Sequence, residues 1–367
     1  MGAAFNGHEG VVKILLDLDV VDPDKPDNDG RTPLYNAAHH GHVEVVKLFL
    51  EKDEVNPDEP DNEGRTALWC AAVHGHVEVV RMLLELDEVN PEKSAKNGPT
   101  PLHCAALNGH PGVVKILLER GEVNPNEPDN EGPTPLCCAA AHGHVELVRI
   151  LLKRDEVNPN KPHNDGRIPL HSAAQNGHQA VAKILLELGD VNPDQPDNSG
   201  RTPLSYAAFN GHEGVVKILL RRDDVDPYRP DNNGVTPLSW AADGAHVRVF
   251  TMFLQRYSRN QNLVMTDPTD QTALLRIPTG DVKRGRRDQV PAPQSVSSNN
   301  SIDLSPADPS ELSQHPPSGS RDPDIHDQVF HDKPFYTRYF PAPSLSLPLN
   351  FALLALLVFL VYYSFAY

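Results

Sequence analysis

The sequence predicts an all-helical repeat solenoid, in which short antiparallel helix pairs stack side by side with loops projecting from one edge. Three observations predict it. A Thr-Pro-Leu-like triplet begins at Thr32, Thr66, Thr100, Thr134, Ile168, Thr202 and Thr236, each 34 residues after the last. A Gly-His pair keeps the same interval at His8, His42, His76, His110, His144, His178 and His212, with Ala245-His246 as a degraded last copy. The stretch AAFNGHEGVVKILL stands at 3–16 and again at 207–220, as an internal duplication would leave it. A fixed period of this length builds a stacked array, because one unit buries its apolar face only against its neighbours.

Residues 27–57 show each element in order. Asp27-Asn28-Asp29-Gly30 is turn chemistry, with Gly30 free to take a positive φ. Thr32 is a helix N-cap, and Pro33 sits at the first helical position, where a missing N–H costs nothing. Leu34, Ala37 and Ala38 recur at helical spacing and mark the buried face. The alanines are small enough for a second helix to approach closely. Gly41 ends the first helix and His42 opens the second. Val43, Val45, Val46, Leu48, Phe49 and Leu50 are apolar on two faces, one for the partner helix and one for the next unit. Asn56-Pro57 starts an extended loop, since the residue before proline avoids the helical region.

The turn Asp197 to Leu204, the Ala-Ala-x-x-Gly-His stretch at Ala207 to His212 and the Val-Val-x-x-Leu-Leu run at Val215 to Leu220 together resemble the ankyrin repeat. The same order recurs across residues 3–257. The resemblance implies a curved stack of antiparallel helix pairs that binds other proteins through its concave face and loop tips. Two departures matter. The family's repeat is usually one residue shorter, and only Gly121 and Gly189 keep its glycine after the second helix. The loops also carry extra proline, as in Asn56-Pro57-Asp58-Glu59-Pro60. Proline removes ladder donors, so the loops are expected to pair poorly as β-hairpins.

The array is expected over 1–257, as a truncated first unit and seven units starting near 32, 66, 100, 134, 168, 202 and 236. Ala3-Ala4 align with Ala37-Ala38, so the first helix lacks a cap and first turn. Ala241 to His246 reads as out of register, as a capping unit often is. Residues 258–348 are expected to be the degenerate end of the array, including TDQTALL at 269–275, and a disordered linker rich in Pro, Ser, Asn and Asp. Lys283, Arg284, Arg286 and Arg287 form a small basic cluster there, read as a solvated charge run or an import signal. Residues 349–367 are expected to form a transmembrane tail anchor. Phe351, Leu353, Leu354, Leu356, Leu357, Val358, Phe359, Leu360 and Val361 are its apolar body, and 351–367 carries no charge. A tail buried by a partner or a wrong gene boundary are the other readings. The amino terminus has no secretory signal pattern and fails the myristoylation pattern at Asn6. An intracellular protein is therefore expected, with its repeats in the cytosol if the tail is an anchor.

Charge and chemistry narrow the function. A net charge of −17 argues against nucleic-acid backbone binding, which needs clustered Lys and Arg. Cys70, Cys104 and Cys138 share one repeat position and read as buried free thiols, with Cys137 as an exposed neighbour. No nucleophile elbow, phosphate loop or zinc-protease pattern is present, so no enzyme, cofactor or small-molecule substrate is expected. The His-Gly-His pairs at 40–42, 74–76 and 142–144 suggest metal, but the second His opens every second helix, which a structural contact explains better.

Binding an unidentified protein partner is the expected function. In ankyrin repeats the contacts come from loop tips and from the two residues between Ala-Ala and Gly-His. By that resemblance the candidates are His39, His40, Val73, His74, Leu107, Asn108, Ala141, His142, Gln175, Asn176, Phe209 and Asn210. Arg31, Arg65, Arg167 and Arg201, which follow the turn glycines, are expected as a polar rim, with Leu107 and Phe209 as apolar anchors.

Overall fold

The computed structural model describes residues 1–261, apart from Asp19, Asn97, Asn130 and Glu131. Eight helix pairs follow one another. They are α1 (Gly2–Phe5) with α2 (Glu9–Leu16), α3 (Pro33–His39) with α4 (Val43–Leu50), and α5 (Ala67–His74) with α6 (Val77–Leu84). Then come α7 (Pro101–Asn108) with α8 (Pro111–Glu119), α9 (Pro135–Ala141) with α10 (Val145–Leu151), and α11 (Pro169–Gln175) with α12 (Gln179–Glu187). The last are α13 (Pro203–Phe209) with α14 (Glu213–Leu219), and α15 (Pro237–Asp243) with α16 (Val247–Gln261). First helices pack on first helices and second helices on second helices, giving two layers. The described residues contain no strand.

Local chemistry sets each helix. The Thr32 hydroxyl accepts from Tyr35 N at 3.1 Å, and Thr66 and Thr134 cap Trp69 N and Cys137 N in the same way. Ile168 has no hydroxyl, and there the contact is reversed. His171 Nδ1 accepts from the Ile168 backbone N–H at 3.2 Å. The core is the alanine pair, the triplet leucine and the second-helix valines: Leu68, Ala71, Ala72, Val79 and Val80 are all fully buried.

A histidine strut ties each unit to the one before it. Nε2 of His42 donates to the Phe5 carbonyl at 2.9 Å. His76, His110, His144, His178, His212 and His246 do the same to the carbonyls of His39, Val73, Leu107, Ala141, Gln175 and Phe209, at 2.8–3.0 Å. The glycine before the strut makes room for it. Gly75 has φ +76°, and a Cβ there would stand 2.5 Å from Nδ1 of His110.

The proline-rich loops are stitched by isolated hydrogen bonds rather than by a ladder. Asp24 Oδ2 accepts from Asn56 N, Glu92 Oε1 from Asn124 N and Asn126 Oδ1 from Asn158 N, each at 2.7 Å. Asn62 N donates to the Asp29 carbonyl and Asn198 N to that of Asp165, both at 2.9 Å. Scattered side-chain and main-chain contacts thus join successive loops where a hairpin ladder would otherwise do so.

Two expectations are corrected. Cys137 is buried rather than exposed, because it occupies the position of Tyr35, Trp69, His103 and His171, which the next unit covers. The last unit keeps register. His246 makes the same strut as its equivalents, and Ala245 adopts the glycine conformation with φ 55°. At the other end α1 is only four residues long and has no side-chain cap, α2 leaves Val11, Ile14 and Leu15 exposed, and Leu18 just after it is exposed too. The helix α16 runs to Gln261. The linker beyond it and the hydrophobic segment 349–367 lie outside the described residues.

Candidate functional site

The candidate residues sit along one edge of the first helices, and they divide by what their side chains already do. In five of the six variable pairs the side chain of the second residue terminates the helix. His74 and His142 donate through Nδ1 to the carbonyls of Cys70 and Cys138, four residues back, at 3.0 Å. Asn108, Asn176 and Asn210 donate through Nδ2 to Cys104, Ser172 and Tyr206 at 2.9–3.0 Å. Alternation between His and Asn at this position therefore has a structural cause. Both types present a donor at the reach the last turn needs.

This also accounts for His-Gly-His. At 74–76 and 142–144 the first ring closes the helix it ends, and in all three pairs the second ring braces the unit before it. Each spends one ring nitrogen on a carbonyl. Burial lowers the pKa values of His76, His110, His142 and His212, outweighing the carbonyl that each ring faces. Among the described residues no three His, Cys, Asp or Glu side chains converge as metal ligands would.

The first residue of each pair varies in exposure. Val73, Leu107 and Ala141 are buried, whereas His39, Gln175 and Phe209 are half-buried. Leu107 is thus part of the core edge rather than an exposed anchor. Phe209 packs edge-on against Trp240, with ring centroids 5.3 Å apart.

The arginines do not form one rim. Arg65 is buried, with Nε 2.7 Å from Asp61 Oδ2. Arg167 is buried as well, donating to Asp165 Oδ2 at 2.6 Å and to Gln175 Oε1 at 2.9 Å. Arg31 and Arg201 are half-buried and lie over aromatic rings. Arg31 is 6.0 Å from the Tyr35 ring, and Arg201 is 5.9 Å from Tyr206 and 5.3 Å from Trp240.

Two clusters result. The first joins Phe5, His40, His39 and His74 in a row of ring contacts 4.1–4.6 Å apart, with Arg31 and Tyr35 alongside. The second joins Arg167, Gln175, Arg201, Tyr206, Phe209 and Trp240 across the last three units. Its Tyr206 hydroxyl donates to Asp197 Oδ2 at 2.7 Å, and burial, with that carboxylate, raises the phenol's pKa. Between the clusters, the face carries small or buried residues, Cys104, Leu107, Cys138 and Ala141.

Tyr35, Tyr206 and Trp240 were not among the sequence candidates. A signal for the last two exists. They interrupt the row Asn36, Cys70, Cys104, Cys138 and Ser172 with large aromatic side chains. A polar or small position that turns aromatic in two adjacent units marks a change of surface.

Among the described residues no helix is long and apolar enough to cross a membrane. The apolar residues from Phe351 to Val361 lie outside that region. A comparison with family models matches ankyrin repeats three times, over residues 1–95, 86–162 and 155–231. A comparison with curated proteins finds no significant match.

Proposed function

This chain belongs to the ankyrin-repeat family, and from that premise we propose that its array is an adaptor surface for another protein. The carrying observation is the pair of clusters at the two ends of the first-helix edge. The struts recur from unit to unit and the threonine caps in most of them, while the half-buried aromatic and Arg residues between them differ. A rigid frame bearing varied side chains is a suitable recognition surface. Phe209, Gln175, His39 and Arg31 are the contacts we favour among the sequence candidates. The family is one of interaction modules, and no enzyme chemistry is proposed.

We further propose that residues 258–348 act as a linker and that 349–367 tether the array to an intracellular membrane, with the repeats facing the cytosol. The support is compositional: an uncharged apolar stretch, 351–367, ending in tyrosines suited to a membrane interface. Two experiments test the reading. Proximity labelling from the full chain should recover protein partners that Phe209→Ala with His39→Ala loses. Recovery unchanged by that pair refutes the surface. In membrane flotation the full chain should float and a chain lacking 351–367 should not. If both remain in the soluble fraction, the protein is a soluble cytosolic or nuclear scaffold.

A further inference from the structure

We propose that the corner formed by Asp231, Trp240, Tyr206 and Phe209 receives an arginine side chain of the partner, in the place that Arg201 now holds loosely. This rests on the first-helix edge being the binding surface, and it names the chemistry that the second cluster recognises.

Three equivalent turns differ in what their aspartate's second oxygen holds. Asp61, Asp197 and Asp231 occupy the same position in three units. Each uses Oδ1 to accept two backbone N–H groups of its own turn, at 2.8–2.9 Å. The second oxygen differs. Asp61 Oδ2 takes Arg65 Nε at 2.7 Å, and Asp197 Oδ2 takes the Tyr206 hydroxyl at 2.7 Å. At Asp231 the residue after the turn glycine is Val235, which has no donor to offer. Trp240 stands where Tyr206 stands one unit earlier, yet its Nε1–H does not reach the carboxylate. Asp231 Oδ2 and Trp240 Nε1 are both left without a hydrogen-bond partner, and the two residues are 5% and 9% exposed.

Arg201 is the nearest cation, and it fits poorly. Tyr206 has taken its own turn carboxylate, Asp197. The Arg201 backbone is nevertheless held in that turn by its N–H bond to Asp197 Oδ1. From there Nε stops 4.0 Å from Asp231 Oδ2, beyond hydrogen-bond range, and Nε too has no partner. Three unpartnered polar groups on touching residues are unusual, since buried polar groups are nearly always paired.

The corner is nonetheless shaped for a guanidinium. It offers the faces of Tyr206 and Trp240 and a carboxylate oxygen, and Arg201 already lies over both rings. An arginine from a partner is not tethered to the Asp197 turn. It can donate to Asp231 Oδ2 at an ordinary charge-assisted distance of about 2.8 Å. Arg201 can leave, because its side chain is 22% exposed and is held by ring contacts and a long ion pair. The net charge of −17 favours a basic segment further.

The test uses the full chain and a displayed random-peptide library. Selected peptides should share one arginine position. Replacing that arginine by citrulline, which has the same shape without the charge, should weaken binding by about 30-fold or more. Asp231→Asn, which keeps an oxygen for Asn233 N and Val235 N, should weaken it similarly. Arg201→Met should strengthen binding by about 3-fold or more, because it removes the internal competitor. Weaker binding to Arg201→Met would make Arg201 itself the contact and overturn the proposal. Failure to select arginine-bearing binders also overturns it. Binders that are lost with Phe209→Ala but indifferent to citrulline and to Asp231→Asn sink the slot and leave the surface standing. Binders indifferent to Phe209→Ala and Gln175→Ala as well sink both.

Discussion

His171 should make the array acid-sensitive, and the amount follows from its two bonds. The ring is fully buried, with Nε2 donating to the Arg201 carbonyl at 3.2 Å and Nδ1 accepting from Ile168 N at 3.2 Å. Burial lowers its pKa from the ordinary 6.5 to about 4. The unfolded chain therefore takes the proton first, so this contribution to stability is complete above pH 6.5 and is lost as pH falls toward 4. For those two values the loss is about 2 kcal/mol at pH 5 against about 0.2 kcal/mol at pH 7. A second cause points the same way, because protonating Nδ1 would set one N–H against another at Ile168. His103, also lowered to about 4, faces the Thr100 hydroxyl at 2.8 Å, which can turn to accept. It should be the more tolerant of the two. The assay is urea unfolding by circular dichroism at pH 7 and pH 5, for the parent protein, His171→Gln and His103→Gln. The parent should lose about 2 kcal/mol more than His171→Gln on going to pH 5. An NMR titration of the His171 ring in the folded protein supplies the direct check. A folded-state midpoint near 6.5, or equal losses in parent and variant, would refute the reasoning.

Three further outcomes are expected. Ala245→Gly should stabilise the last unit by about 0.5–1 kcal/mol, read as a shift in the denaturation midpoint, because Ala245 holds φ 55°. Thr66→Ala should cost about 1 kcal/mol and Thr66→Ser much less, since only the first loses the oxygen that caps Trp69 N. Amide exchange should be fastest in α1 and α2, where the outer apolar side chains are uncovered and the first helix is uncapped. Exchange fastest in α15 and α16 would contradict that order.

The helix pairs were legible because their signals are local. A threonine before a proline starts a helix wherever it falls, and Thr32 and Thr134 do so here. Contacts between units were harder to read. The strut from His76 reaches a carbonyl 37 residues away, and a main-chain acceptor leaves no mark on residue type. Arg65 and Arg167 were expected at the surface because arginine is seldom buried. Asp61 and Asp165, in the same turns, draw them in. Trp240 and Tyr206 lie outside the pairs between Ala-Ala and Gly-His, and in five of those six pairs the second residue proved to be a helix cap. The position of Tyr206 became informative only once its hydroxyl was seen to occupy Asp197.

The histidine struts carry one further consequence. Each lands on the peptide oxygen of a residue whose side chain is free to be histidine, valine, leucine, alanine, glutamine or phenylalanine. The joint between units is therefore indifferent to what is written on the recognition edge. Units joined in this way behave as interchangeable parts, and a gene that copies one gains a new part that already fits its neighbours. The stretch AAFNGHEGVVKILL, present in both the first and the seventh unit, is what such copying leaves behind. New binding specificities can then arise by editing single side chains in a copied unit while its coupling to the rest of the array stays intact.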